Sequence, residues 1–139
     1  MMADLLTPER RSWNMSRIRS RDTGPELALR SMLHRAGLRF RLHDRSLPGT
    51  PDIVMKKHHA VILVHGCYWH RHEGCMNATT PSTRTDFWQA KFGATVARDE
   101  RNLAALAELG WKPIVVWECD VKKHPDKVML EIRNQLQEP

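Results

Sequence analysis

The hydrophobic rhythm of the chain changes several times, and each change marks an element. Thr7-Pro8-Glu9 opens a short polar helix through about Ile18. Thr23-Gly24-Pro25-Glu26 has the form of a capping box: the Thr23 hydroxyl accepts from the Glu26 amide, and the Glu26 side chain reaches back. Leu27, Leu29, Met32, Leu33 and Ala36 follow on helical spacing, and Gly37 is a natural stop. Phe40 and Leu42 alternate with Arg39, Arg41 and His43, the period of a strand. After the turn-rich Leu47-Pro48-Gly49-Thr50-Pro51, the runs Asp52–Met55 and Ala60–Val64 flank Lys56-Lys57-His58-His59 and predict a hairpin. Residues 65–84 are irregular and rich in Cys and His. A long helix is predicted from about Asp86 to Leu109, with Trp88, Phe92, Val96, Leu103 and Leu106 on one face and Gly110 at its end. Lys112–Trp117 is a buried strand, flanked by the core residues Trp111 and Trp117, and residues 125–137 form a last amphipathic helix. No repeat or linker divides the chain. The pattern predicts one α/β domain over residues 1–139, with a mixed central sheet flanked by helices.

Composition narrows the class. Of 139 residues, 41% are hydrophobic and 27% charged, which excludes a disordered tail. The longest apolar run, Ala60–Val64, falls far short of the ~20 residues that span a bilayer. The N-terminus shows no apolar leader, so the expectation is a cytoplasmic protein with no membrane partner. Net charge is +6, and residues 1–45 account for +5 of it, with ten Arg, five acids and no Lys. Guanidinium forks suit phosphate oxygens better than ammonium point charges do. The segment 1–22 therefore reads as a basic arm for a polyanion, most simply nucleic acid, ahead of a core over about 23–139. Arg17, Arg19 and Arg21 are its candidate phosphate contacts.

Cys67, His72 and Cys75 lie within nine residues, and the remaining cysteine is Cys119. Reduced thiols of this kind match a closed tetrahedral Cys3His zinc site, provided the end of the Lys112–Trp117 strand delivers Cys119. Asp52 opens one predicted strand and His65 follows its neighbour, with His70 just beyond. A carboxylate and a backbone carbonyl from the adjacent strand suit Mg2+. A neutral imidazole in the same crevice can take a proton from water.

Several stretches together resemble the very-short-patch-repair DNA mismatch endonucleases, a branch of the restriction-endonuclease-like superfamily. They are Leu47–Val54, His65-Gly66-Cys67-Tyr68-Trp69-His70, Ser82–Trp88, and Gly110-Trp111 together with Val116–Cys119, preceded by Asn14–Ile18 and Arg21–Thr23. The resemblance implies a restriction-endonuclease-like core and a Mg2+-dependent enzyme that nicks double-stranded DNA 5′ to the thymine of a T·G mismatch. Such mismatches arise when 5-methylcytosine deaminates. It further implies a monomer acting on the bacterial nucleoid, with other repair proteins following at the nick. By the same resemblance Asp52 and the Val64 carbonyl hold Mg2+, His70 takes the proton of water, and His65 stabilises charge on the phosphate. Glu26 and Asp99 are the accompanying acids, and Cys67, His72, Cys75 and Cys119 hold structural Zn2+. Tyr68, Trp69 and Trp88 match aromatics that intercalate beside the mismatch. The family's Thr before the first active-site His is Val64 here, and its Phe is Tyr68. Two alternatives stand beside this reading: a restriction- or homing-type endonuclease on the same fold, and a catalytically inactive zinc-stabilised DNA-binding module.

Overall fold

A computed structural model describes residues 23–67, 70–72, 74–75 and 82–137. The predicted helix over 7–18, the arm residues Arg17, Arg19 and Arg21, and the aromatic pair Tyr68 and Trp69 lie outside the described residues.

The first helix, α1, spans Gly24–Arg35, and Thr23 caps it by accepting the Glu26 amide at 3.4 Å. Pro25 in the first turn costs nothing, because the amide it lacks has no intrahelical acceptor there. The Glu26 side chain, however, turns inward: its carboxylate is 1% exposed and pairs with Arg30 one turn on. Strand β1 is only Arg41–Leu42, shorter than the alternation over Phe40–His43 suggested, and exposed at the sheet edge. Strands β2 (Ile53–Met55) and β3 (Ala60–His65) form the predicted hairpin. A single turn of 3-10 helix, Lys56–His58, joins them, and His59 closes it in the left-handed region at φ 54°. Helix α2 spans Thr85–Glu108 and β4 spans Lys112–Trp117. A short helix α3 (Glu118–Lys123), absent from the predicted pattern, precedes α4 (Pro125–Gln137).

The sheet order is β1-β2-β3-β4, with the first three strands antiparallel and β4 parallel to β3. Period-two alternation sorts the strand residues between two faces. Ile53, Met55, Ala60, Ile62, Ile114 and Val116 pack with Leu29 and Leu33 of α1, Val121 of α3, and Val128 and Ile132 of α4. Val54, Val61 and Leu63 turn the other way and meet Leu106 of α2, with Leu103 and Trp111 beside them. The buried stripe of α2 runs through Trp88, Phe92, Thr95 and Leu106, so Thr95 replaces the expected Val96. Its hydroxyl donates to the Lys91 carbonyl at 3.2 Å, which makes burial of a polar residue affordable. Among the described residues, no helix is long and apolar enough to cross a membrane.

The parallel pairing positions the functional groups. His65 of β3 stands in register with Trp117 of β4, so both strands end at the same edge. Whatever follows either strand is delivered to one place, although about fifty residues of chain separate them.

Candidate active site and metal centre

Beyond that edge, Cys67 follows β3 and Glu118-Cys119 follows β4. A Glu118 carboxylate oxygen accepts the Cys67 amide at 3.2 Å, which ties the two strand ends together. Cys67, His72, Cys75 and Cys119 then offer ligand atoms that all lie within 4.8 Å of one another. His72 Nδ1 sits 3.6 Å from Cys67 Sγ and 3.3 Å from Cys119 Sγ. Zinc–sulfur and zinc–nitrogen bonds of roughly 2.3 and 2.0 Å at a tetrahedral angle give an S···N edge of about 3.5 Å. The donor set therefore fits Zn2+ in both chemistry and spacing. Burial pushes the Cys67 thiol up to about 12, and Cys119 upward for the same reason. A bound cation reverses that preference by holding the thiolate. Turns closed by His72 N–H to the Cys67 carbonyl and Cys75 N–H to the His72 carbonyl wrap the loop around the cluster. Trp117, expected as core, instead stacks on His72 at 4.2 Å and meets the His65 ring edge-on at 5.3 Å. One indole thus braces both the Cys3His cluster and the histidine pair.

On the α2 face lies a cleft of about 670 Å³ lined by Asp52, His65, His70 and Asp99 among others. His65 and His70 stack in parallel at 4.0 Å, their planes 8° apart. Asp99, projecting from α2, lies 2.6 Å from His70 Nδ1. The carboxylate is an acceptor, so Nδ1 carries the proton, and in the neutral ring Nε2 is then the acceptor. His65 is 6% exposed; burial first, then the neighbouring His70, pulls it down to about 4. Near neutral pH it is therefore uncharged, a hydrogen-bond partner rather than a cation.

Asp52 precedes β2 and accepts the Val64 amide at 2.7 Å across the hairpin. Burial and a hydrogen bond with Glu26 push its carboxyl up to about 8, against the lowering effect of the Val64 amide and Arg30. Glu26, His43 and Asp52 also offer three ligand atoms within 4.8 Å of one another. Two carboxylates so close repel unless a proton or a cation lies between them, and hard oxygen donors suit Mg2+. The two carboxylates, though not the His43 imidazole, fit that ion. Arg30 bridges the group, 3.1 Å from the Glu26 carboxylate and 2.9 Å from His43 Nε2. Sequence reasoning passed over Arg30, His43 and Trp117; His43, at φ 47° among non-glycine residues, offered no local signal. Trp88 is 8% exposed and packs against Phe87 and Phe92, so its side chain lies in the interior. Phe87 beside it is 45% exposed.

The sequence profile described as DNA mismatch endonuclease Vsr matches residues 3–77. The chain is 52% identical over 120 residues to the type II nicking enzyme V.XorIIP of Xanthomonas oryzae pv. oryzae, covering 86% of this chain and 88% of that protein. It is 47% identical over 121 residues to the DNA mismatch endonuclease Vsr of Escherichia coli, covering 87% and 77% respectively. Identity to the type II nicking enzyme V.HpaIIP of Haemophilus parainfluenzae is 35% over 136 residues, covering 97% and 96%. Similarity at this level, across a profile and several near-full-length relatives, is decisive: the chain belongs to the Vsr family of DNA mismatch endonucleases.

Proposed function

We propose that this protein is a Mg2+-dependent, monomeric endonuclease that nicks one strand of double-stranded DNA 5′ to the thymine of a T·G mismatch. It does so on a restriction-endonuclease-like core with a structural zinc. The observation that carries this reading is the 2.6 Å His70–Asp99 contact, in one cleft with the buried His65 and the half-buried Asp52. The names of its relatives, nicking enzymes and a mismatch endonuclease, point the same way.

In this reading Asp99 holds the His70 tautomer, and His70 Nε2 takes a proton from the attacking water. The water oxygen joins phosphorus, one P–O bond of the backbone breaks, and the leaving oxygen acquires a proton. Neutral His65, buried against the His70 ring, donates a hydrogen bond to a phosphate oxygen. Asp52 and the Val64 carbonyl, with Glu26 adjacent, would hold the cation, which would supply Lewis-acid charge when bound. The Cys3His cluster keeps the 65–75 loop in shape and thereby positions both histidines. Tyr68 and Trp69, between Cys67 and His70 in sequence, wedge into the stack, which costs least at a mispair.

The test is nicking of labelled T·G, A·T and G·C duplexes in Mg2+ or EDTA. A single nick in the T·G duplex alone, abolished by EDTA and by Asp52→Ala, is expected. Equal cleavage of all three duplexes, or scission of both strands, refutes mismatch specificity. Binding without nicking under any divalent cation leaves an inactive DNA-binding module. Trp69→Ala is expected to narrow the ratio of T·G to matched affinity, since base stacking contributes ~1–3 kcal/mol per aromatic.

A further inference from the structure

Two guanidinium groups line the cleft and have no part in the chemistry above: Arg45, in the loop before β2, and Arg98, on α2 beside Asp99. Both are exposed, and neither has an ion-pair partner among the described residues. An arginine on a solvated helix is ordinarily unremarkable. These two differ in that they come from separate elements which the fold holds rigidly together.

The loop that carries Arg45 is braced at every step. Asp44 Oδ1 accepts both the amide of Ser46, at 2.9 Å, and its hydroxyl, at 2.5 Å, forming an Asx turn around Arg45. Leu47–Thr50 is closed by the Thr50 amide on the Leu47 carbonyl. His43, at the start of the loop, donates its amide to the Asp52 carbonyl. Against this loop lies Asn102, one helical turn beyond Arg98. Gly49, at φ +75°, approaches so closely that a Cβ there would lie 3.0 Å from Asn102 Nδ2. The contact seats the loop directly on α2, and Arg45, Arg98 and Asn102 all line the same cleft.

Two guanidinium groups carried on braced backbone, lining one cleft with His65, His70 and Asp52, suit an extended polyanion, because each fork can donate to two phosphate oxygens. We infer that Arg45 and Arg98 form a backbone clamp that grips phosphates of the nicked strand on either side of the scissile bond. The inference rests on the DNA-nicking reading above. Its arginines are not those of the N-terminal arm, Arg17, Arg19 and Arg21. The clamp makes the cleft, and not the arm alone, a source of salt-dependent affinity, and it fixes the strand's register over the histidine pair.

The experiment uses the full chain and a T·G duplex with Ca2+ in place of Mg2+, with anisotropy titrations from 50 to 200 mM NaCl. Each phosphate contact contributes a slope of about 0.9 in log K against log salt, roughly a 3.5-fold change over that range. Arg45→Ala and Arg98→Ala are each expected to flatten the slope by about that amount, and the double variant by about twice as much. The matching Lys variants keep their charge and should retain the slope while raising KM in Mg2+-supported nicking. Arg133→Ala, on α4 across the sheet, is the control and should leave the slope unchanged. Slopes equal to the parent's in both Ala variants, with the parent nicking normally, overturn the clamp and leave the nicking function intact. A parent that neither binds nor nicks any duplex overturns both.

Discussion

Replacing Asp52 by Asn should abolish nicking and yet make the cation-free protein more stable. Asn has the shape of a protonated Asp. Its carbonyl can accept the Val64 amide, as Asp52 does at 2.7 Å, and its NH2 can donate to Glu26. What disappears is a charge held against burial and a neighbouring carboxylate, the two largest causes that push the Asp52 carboxyl from 3.8 up to about 8. Across that window the folded chain keeps a proton that the unfolded chain has released, so stability falls as pH rises from about 4 to about 8. Each pH unit is worth about 1.4 kcal/mol at most. Arg30 and residual water access reduce the whole, and a gain on the order of 1–3 kcal/mol at pH 8 is expected for Asp52→Asn. In a domain of this size that is roughly 3–10 °C in melting temperature. The assay is thermal unfolding in EDTA at pH 4.5, 6 and 8. The difference between variant and parent should be near zero at pH 4.5 and widen with pH. Mg2+ should raise the parent's melting temperature most at pH 8 and leave the variant's nearly unmoved. A variant that melts at or below the parent at pH 8, or a gain independent of pH, refutes the account of a strained carboxylate pair poised for a cation.

Four further outcomes follow from the geometry. Asp99→Asn removes the carboxylate 2.6 Å from His70 Nδ1; single-turnover nicking should slow by about 10²–10⁴ with little change in KM, and unchanged rates would free His70 of any dependence on Asp99. Because burial holds the Cys67 thiol protonated up to about 12, zinc uptake by chelator-stripped protein at pH 7 should release protons detectable with an indicator in weak buffer. Cys119→Ser should lower both zinc content and melting temperature, whereas full zinc occupancy in that variant would exclude Cys119 as a ligand. Gly49→Ala places a Cβ 3.0 Å from Asn102 Nδ2 at φ +75° and should cost about 1–3 kcal/mol in urea unfolding. Asn102→Ala should recover only the steric part of that loss.

Much of this molecule was legible in its sequence, and what was legible is local. The boundaries of β4 and α4 coincide with those read from periodicity, because a buried strand and an amphipathic helix write their burial into adjacent residues. Thr23 caps α1 as its spacing requires. Cys67, His72 and Cys75 cluster because two local turns, closed by the His72 and Cys75 amides, fold a short stretch of chain back on itself. The remainder depended on partners distant in sequence. Only the parallel register of β3 and β4 brings Cys119 to Cys67, His72 and Cys75, and Trp117 against both His65 and His72. The phase of α2 decided that Thr95 lies in the interior and that Asp99 reaches His70; no hydrophobic pattern encodes the second of these, and only the family resemblance pointed to it. Glu26 shows the division most plainly. Its place in the capping box was readable from four residues, while its inward turn to Arg30, His43 and Asp52 was not. That turn needs α1 packed against the sheet beside the end of β2, where a carboxylate is stabilised by the counter-charge and hydrogen-bond donors that the fold supplies. Periodicity records which face of an element avoids water, but the chemistry of a buried charge depends on which groups tertiary packing sets beside it.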